Sequence, residues 1–170
     1  MKQLLLIRHA KSSWANPDLT DFDRPLNKRG KRDAPYMGKL LAAQNICPEL
    51  IIASPAKRAK RTAKTIAAKI GYDEGSIIYR EDIYMSGFSG LLKAIASTDN
   101  SINSLALIGH NYAITELAEW LTGKVIGNIP TCGIVSIEFT DPSWNKIIEH
   151  SGRLIFFDYP KLHTVRSKGE

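Results

Sequence analysis

Sulfur chemistry has little to work with in this 170-residue chain, which holds only two cysteines, Cys47 and Cys132. Two thiols make no disulfide framework, and no second ligand stands at zinc spacing beside either one. Neither Cys47-Pro48-Glu49 nor Cys132-Gly133-Ile134 leads to an arginine that could hold an oxyanion on the same loop. Cysteine-dependent phosphoryl chemistry is therefore disfavoured. Long apolar runs are also missing. Leu4-Leu5-Leu6-Ile7 stops at Arg8-His9, far short of a bilayer span and without the pattern of a signal peptide. Cytoplasmic residence with no membrane partner is the resulting expectation. Internal repeats and low-complexity stretches are absent, and 44% hydrophobic with 24% charged residues excludes a disordered chain.

Charge is not scarce. The net value of +6 favours acidic partners, phosphate esters as readily as nucleic acid. No aromatic interleaving accompanies the basic residues, so no nucleic-acid partner is expected. Lys57, Arg58, Lys60, Arg61, Lys64 and Lys69 fall on one predicted helix, where Lys57, Arg61 and Lys64 share a face that reads as solvated. Lys161, Arg166 and Lys168 follow Pro160 in a polar stretch that reads as a frayed end. One domain over residues 1–160 with a polar tail at 161–170 is expected.

Short apolar runs alternate with longer helical patterns, the mark of an α/β domain with a mostly parallel sheet. Strands are expected at 3–7, 50–53, 76–79 and 104–108. Helices are expected from Asn27 onward, across 56–70 up to Gly71, over 91–96, and through Ile114 to Leu121 before Gly123. Pro35 predicts a kink in the first helix or a late start near Ala34. The remainder reads as β at 133–139, 146–149 and 153–159.

Three polar signals share one context. The first strand ends in Arg8-His9, the second in Ser54-Pro55 with Arg58 in the next turn, and the fourth in Gly109-His110. In a parallel sheet these ends face one side, the edge where open α/β folds bind ligands. Arginine presents a planar fork of donors suited to phosphate oxygens, and a neutral imidazole can attack phosphorus. Arg8-His9 alone is also readable as a strand ending in two solvated residues. Two arginines, two histidines and two helix N-termini around one point make an anion site, and a phosphoryl group is the expected anion.

Four blocks in order carry a family resemblance: Leu6-Ile7-Arg8-His9-Ala10-Lys11-Ser12-Ser13-Trp14, Asp23-Arg24-Pro25-Leu26-Asn27-Lys28-Arg29-Gly30, Ser54-Pro55-Ala56-Lys57-Arg58-Ala59 and Ile108-Gly109-His110-Asn111. With them the chain resembles the histidine phosphatase superfamily, the phosphoglycerate-mutase-like clan, and within it the small SixA-like phosphohistidine phosphatases. The resemblance implies a three-layer α/β/α sandwich and a metal-independent phosphatase without a cofactor. His9 would carry the phosphoryl group as a covalent intermediate, while Arg8, Arg58 and His110 hold its oxygens. Arg24 matches a further basic residue near such pockets and is otherwise a surface partner of Asp21 or Asp23. Asn111, beside His110, joins the phosphate-binding set. Asp82, with Glu81 behind it, is the candidate acid for the leaving group and is otherwise an exposed strand-end residue. His9 should be neutral, its second N–H on a carbonyl and its pKa lowered by nearby arginines, so activity should fall on the acid side.

Protein phosphohistidine is the substrate that this resemblance favours, because no insertion covers a small-molecule pocket. A phosphatase of a small phosphorylated metabolite is the alternative, and a noncatalytic phosphate-binding module is a rival from another class.

Overall fold

The computed structural model describes residues 1–164. Six strands form one sheet in the order β3-β2-β4-β1-β5-β6: β1 is Lys2–Arg8, β2 Leu50–Ala53, β3 Ile78–Tyr79, β4 Ser104–Gly109, β5 Ile134–Phe139 and β6 Gly152–Asp158. β1, β2, β3 and β4 run parallel, and β5 pairs antiparallel with both β1 and β6. The mostly parallel α/β sheet anticipated from the alternating pattern is what the chain builds.

Alternation along the central strands divides the core between two faces. Leu4, Leu6, Leu105 and Leu107 pack on one side with α4 (Gly87–Ala96) and α5 (Ala113–Thr122). Leu5, Ile7, Ala106 and Ile108 pack on the other with α1 (Lys28–Ala43) and α2 (Lys57–Ile70). Helices on both faces complete the three layers.

Pro35 neither delays nor divides α1, contrary to the sequence expectation. The helix starts at Lys28, where the Asn27 side chain accepts the Gly30 N–H at 2.9 Å. Burial of Ala34, Met37 and Leu41 offsets the hydrogen bond that the proline cannot donate. Gly30 matters for another reason: a Cβ there would lie 2.2 Å from the Lys11 carbonyl oxygen, so its bareness lets α1 close against the segment after β1. Gly71 and Gly123 end α2 and α5 in left-handed conformations, as their positions suggested.

The expected strand at 146–149 does not form. Trp144 is fully buried and donates its indole N–H to the Ile102 carbonyl at 2.7 Å, which holds the segment in a short 3-10 turn, Trp144–Lys146. Strand 76–79 shortens to β3, and a short helix unseen in the sequence, α3 (Glu81–Met85), follows it. Lys161–Thr164 is a helical turn, α6, rather than a frayed start, and His163 meets Asp158 at 2.6 Å. The rest of the expected tail, 165–170, lies outside the described residues. Among those described, no helix is long and apolar enough to cross a membrane.

Candidate active site

Sheet register brings the chemistry together. Arg8 pairs with Gly109 and Ala53 with Ile108, so β1, β2 and β4 deliver Arg8-His9, Ser54 and His110 to one edge. Main-chain bonds fix the emerging loops: His9 N–H donates to Gly109 O at 3.0 Å, and Ser54 N–H to Ile108 O at 2.9 Å. The Ala10 N–H donates to Thr62 Oγ1 at 2.9 Å, and that hydroxyl donates to Arg58 O at 2.8 Å, tying α2 to the turn after β1. A cavity of about 190 Å³ lies at this edge and is lined by Arg8, His9, Arg24, Arg58, His110 and Asn111 among others.

The His9 ring is oriented by two partners. Nδ1–H donates to the Ala10 carbonyl at 2.7 Å, and Arg58 Nε–H approaches Nε2 at 3.4 Å. Arginine is only a donor, so Nε2 is the unprotonated nitrogen, and its lone pair accepts this long bond from Arg58 at the cavity wall. Burial pulls the His9 pKa down to about 3; the Ala10 carbonyl opposes this, while His110, Arg58 and Arg8 add to it. Nearby arginines do lower the value, as expected, but desolvation is the larger cause.

His110 faces His9 with ring centroids 5.1 Å apart. Arg58 Nη2 lies 3.4 Å from His110 Nδ1, which must accept, so Nε2–H donates to Ser54 Oγ at 2.8 Å. Burial first, then the Arg58 charge, lowers the His110 pKa to about 4, with Asp21 opposing. Both imidazoles are therefore neutral in the unliganded site near neutral pH.

The three guanidiniums differ in engagement. Arg8 donates from Nη1 to the Ile129 carbonyl at 2.9 Å, but its buried Nε has no hydrogen-bond partner among the described residues. Arg58 grips Asp21 through Nη1 to the main-chain carbonyl at 2.6 Å and Nη2 to Oδ2 at 2.9 Å. Arg24 meets Asp21 Oδ1 at 2.9 Å, Ser13 O at 3.1 Å and the Ser12 hydroxyl, and its plane stacks 3.3 Å over the Trp14 ring. The two readings of Arg24 thus coincide: it lines the cavity and also pairs with Asp21.

Asp21 is the residue that sequence reasoning undervalued. One carboxylate bridges Arg24 and Arg58 and accepts the Tyr84 hydroxyl at 2.8 Å. Burial pushes its pKa up, but the bonds from Tyr84, Arg58 and Arg24 outweigh that and bring it down to about 2. Its only sequence signal was the three-residue spacing to Arg24. Ser54 likewise entered only as a strand end, and Tyr84 not at all.

Asp82 stays outside the cluster. Arg80 binds both of its carboxylate oxygens, Nε to Oδ1 at 3.0 Å and Nη2 to Oδ2 at 2.6 Å, and Asp82 does not line the cavity. The Arg80 hydrogen bonds hold its carboxyl below the ordinary range. Asn111 lines the cavity with its amide engaged, donating to Asn128 Oδ1 and accepting from Thr115 Oγ1, both at 2.6 Å. Among the described residues, no three His, Cys, Asp or Glu side chains gather as a metal cluster.

Comparison with known proteins agrees with the fold. The family described as histidine phosphatase superfamily (branch 1) matches residues 4–83. An uncharacterized chloroplastic protein of Arabidopsis thaliana is 30% identical over 89% of this chain and 72% of its own length. A candidate phosphohistidine phosphatase SixA from Agrobacterium tumefaciens superposes with a TM-score of 0.80 at 29% identity, covering 94% of this chain and 98% of its own. A protein histidine phosphatase SixA complexed with tungstate shares the fold at a TM-score of 0.79 and 23% identity, with 94% and 98% of the two chains covered.

Proposed function

From the premise that this chain belongs to the histidine phosphatase superfamily, we propose a phosphatase that works through a phosphohistidine on His9 and takes protein phosphohistidine as substrate. The observation that carries this reading is the His9 ring: Nδ1–H is committed to the Ala10 carbonyl, and Nε2, in the cavity wall, is unprotonated with only the long 3.4 Å bond from Arg58 Nε–H for an incoming phosphoryl group to displace. Nε2 attacks phosphorus in line, the bond to the leaving group breaks, and the phosphoryl group rests on His9. Water then attacks that phosphorus, the Nε2–P bond breaks, and phosphate leaves with the imidazole regenerated.

Charge on the transferred oxygens needs fixed donors. Arg8 Nε is a buried N–H without a partner among the described residues, and Arg58 sits between the two histidines. His110 carries its one proton on Nε2, so it donates to the phosphoryl group by exchanging its bond to Ser54 Oγ, and Arg24 and Asn111 close the rim. The cavity of about 190 Å³ holds a phosphoryl group and little else. A substrate must then keep most of its body outside, which suits a side chain on a protein surface better than a wholly enclosed metabolite. With Asp82 bound to Arg80, no carboxylate lines the cavity among the described residues. Phosphohistidine tolerates that lack, because its imidazole departs easily.

The test is a rapid-quench reaction with p-nitrophenyl phosphate. A burst of nitrophenol with acid-labile label on the protein, absent in His9→Ala, is expected; label persisting in His9→Ala would refute the nucleophile. Rates on a phosphohistidine-bearing protein should exceed those on a panel of sugar phosphates, and the reverse order would refute the substrate.

A further inference from the structure

Beside the cavity lies a second groove of about 420 Å³ between α1 and α2. Its lining holds five cationic side chains, Lys31 from α1 and Lys57, Lys60, Arg61 and Lys64 from α2, and no carboxylate. Only Lys64 has an acidic partner, Glu74 at 3.4 Å; among the described residues no carboxylate pairs with Lys31, Lys57, Lys60 or Arg61. The charged run that read as an ordinary wet face thus forms one wall of a concave surface. Its opposite wall comes from Lys31 and the segment Pro25-Leu26.

The groove neighbours the candidate site through residues adjacent in sequence, and the two share no lining residue. Arg24 lines the cavity and Pro25 the groove; Arg58 lines the cavity and Lys57 the groove. Leu26 in the groove bridges Ser12 in the cavity wall.

We propose that this groove docks an acidic segment of the protein that bears the phosphorylated histidine. The inference rests on the protein-phosphohistidine reading above and adds the kind of carrier that the enzyme prefers. Five cations, four of them without a carboxylate partner among the described residues, raise the local concentration of an acidic surface and orient its approach. Pro25 and Leu26 offer an apolar floor for the backbone of an extended chain. No aromatic side chain lines the groove to stack bases, which favours an acidic polypeptide over single-stranded nucleic acid.

Two measurements on the full chain test this. In the first, a fluorescein-labelled peptide of about eight glutamates is titrated into the wild type and the Lys31→Glu/Lys60→Glu/Arg61→Glu variant at low salt. Binding that weakens about tenfold or more in the variant supports the groove. Equal affinity in the two proteins, or no binding to either, overturns it. An oligoribonucleotide of matched charge that binds the groove more tightly than the peptide also overturns it.

In the second, kcat/KM is compared on an acidic phosphohistidine-bearing domain and on free phosphohistidine. The variant should lose about tenfold or more on the domain and stay within about twofold on the free amino acid. Equal losses, or none, overturn the proposal. If the peptide measurement succeeds while neither phosphohistidine substrate is hydrolysed, the groove stands as an acidic-peptide site and the substrate reading falls.

Discussion

Lowering the pH from 8 to 5 should cost this protein ~4 kcal/mol of folding stability through His9 and His110 alone. Both rings are held neutral, with pKa values of about 3 and about 4 against an ordinary value of 6.5. The unfolded chain takes up these protons as pH falls below 6.5, and the folded chain does not. Stability contributed by neutral burial is therefore complete above pH 6.5 and declines as pH falls towards the folded values. At pH 5 each ring sits about 1.5 pH units below its unfolded pKa, or ~2 kcal/mol at ~1.36 kcal/mol per unit. Asp21, with a folded value of about 2, acts lower: its contribution is lost between its ordinary 3.8 and 2. The window from pH 5 to 6.5 is thus clear of it. Urea unfolding monitored by tryptophan fluorescence at half-unit steps measures the slope. Wild type should lose ~2.7 kcal/mol per pH unit more steeply than a His9→Gln/His110→Gln double variant. Parallel curves would refute the neutral, desolvated assignment for both rings. The same values move the acid limb of kcat/KM for His9 down to near pH 3, lower than an unperturbed histidine would place it.

Ser54→Ala removes the acceptor of His110 Nε2–H and should lower kcat about tenfold with little change in KM, measured on p-nitrophenyl phosphate. Asp82→Asn should change that activity by less than about threefold, because Arg80 already occupies both oxygens; a loss near a hundredfold would return Asp82 to the acid's role. Gly30→Ala pushes a methyl against the Lys11 carbonyl and should cost about 2–3 kcal/mol in a denaturant titration, with activity falling as the turn after His9 shifts.

What was legible in the sequence, and what was not, follows from the range of each signal. Leu4-Leu5-Leu6-Ile7 and Leu105-Ala106-Leu107-Ile108 read as strands because both faces of a central parallel strand are buried, leaving no polar interruption until the functional end. Arg8, His9, Arg58 and His110 then met at one edge because register, not chance, aligns those ends. Asp21 escaped notice because its value lies in contacts to residues 37 and 63 positions away, which no local pattern encodes. Asp82 misled through a neighbour: Arg80 is two residues before it and captures it. Arg61 read only as part of a solvated face and Lys31 not at all, since periodicity reports which face a charge occupies but not what stands opposite.

Arg8 keeps one buried N–H that no other described residue satisfies. Any compact oxyanion that reaches it relieves the cost of burying that N–H, so on the proposed mechanism the inorganic product is expected to bind the resting protein. Free phosphate should then raise the melting temperature and inhibit competitively, with stabilisation of ~1.4 kcal/mol at ten times its dissociation constant. Turnover under phosphate-rich conditions would be paced by departure of that anion, which makes the enzyme's throughput answer to ambient phosphate as well as to substrate.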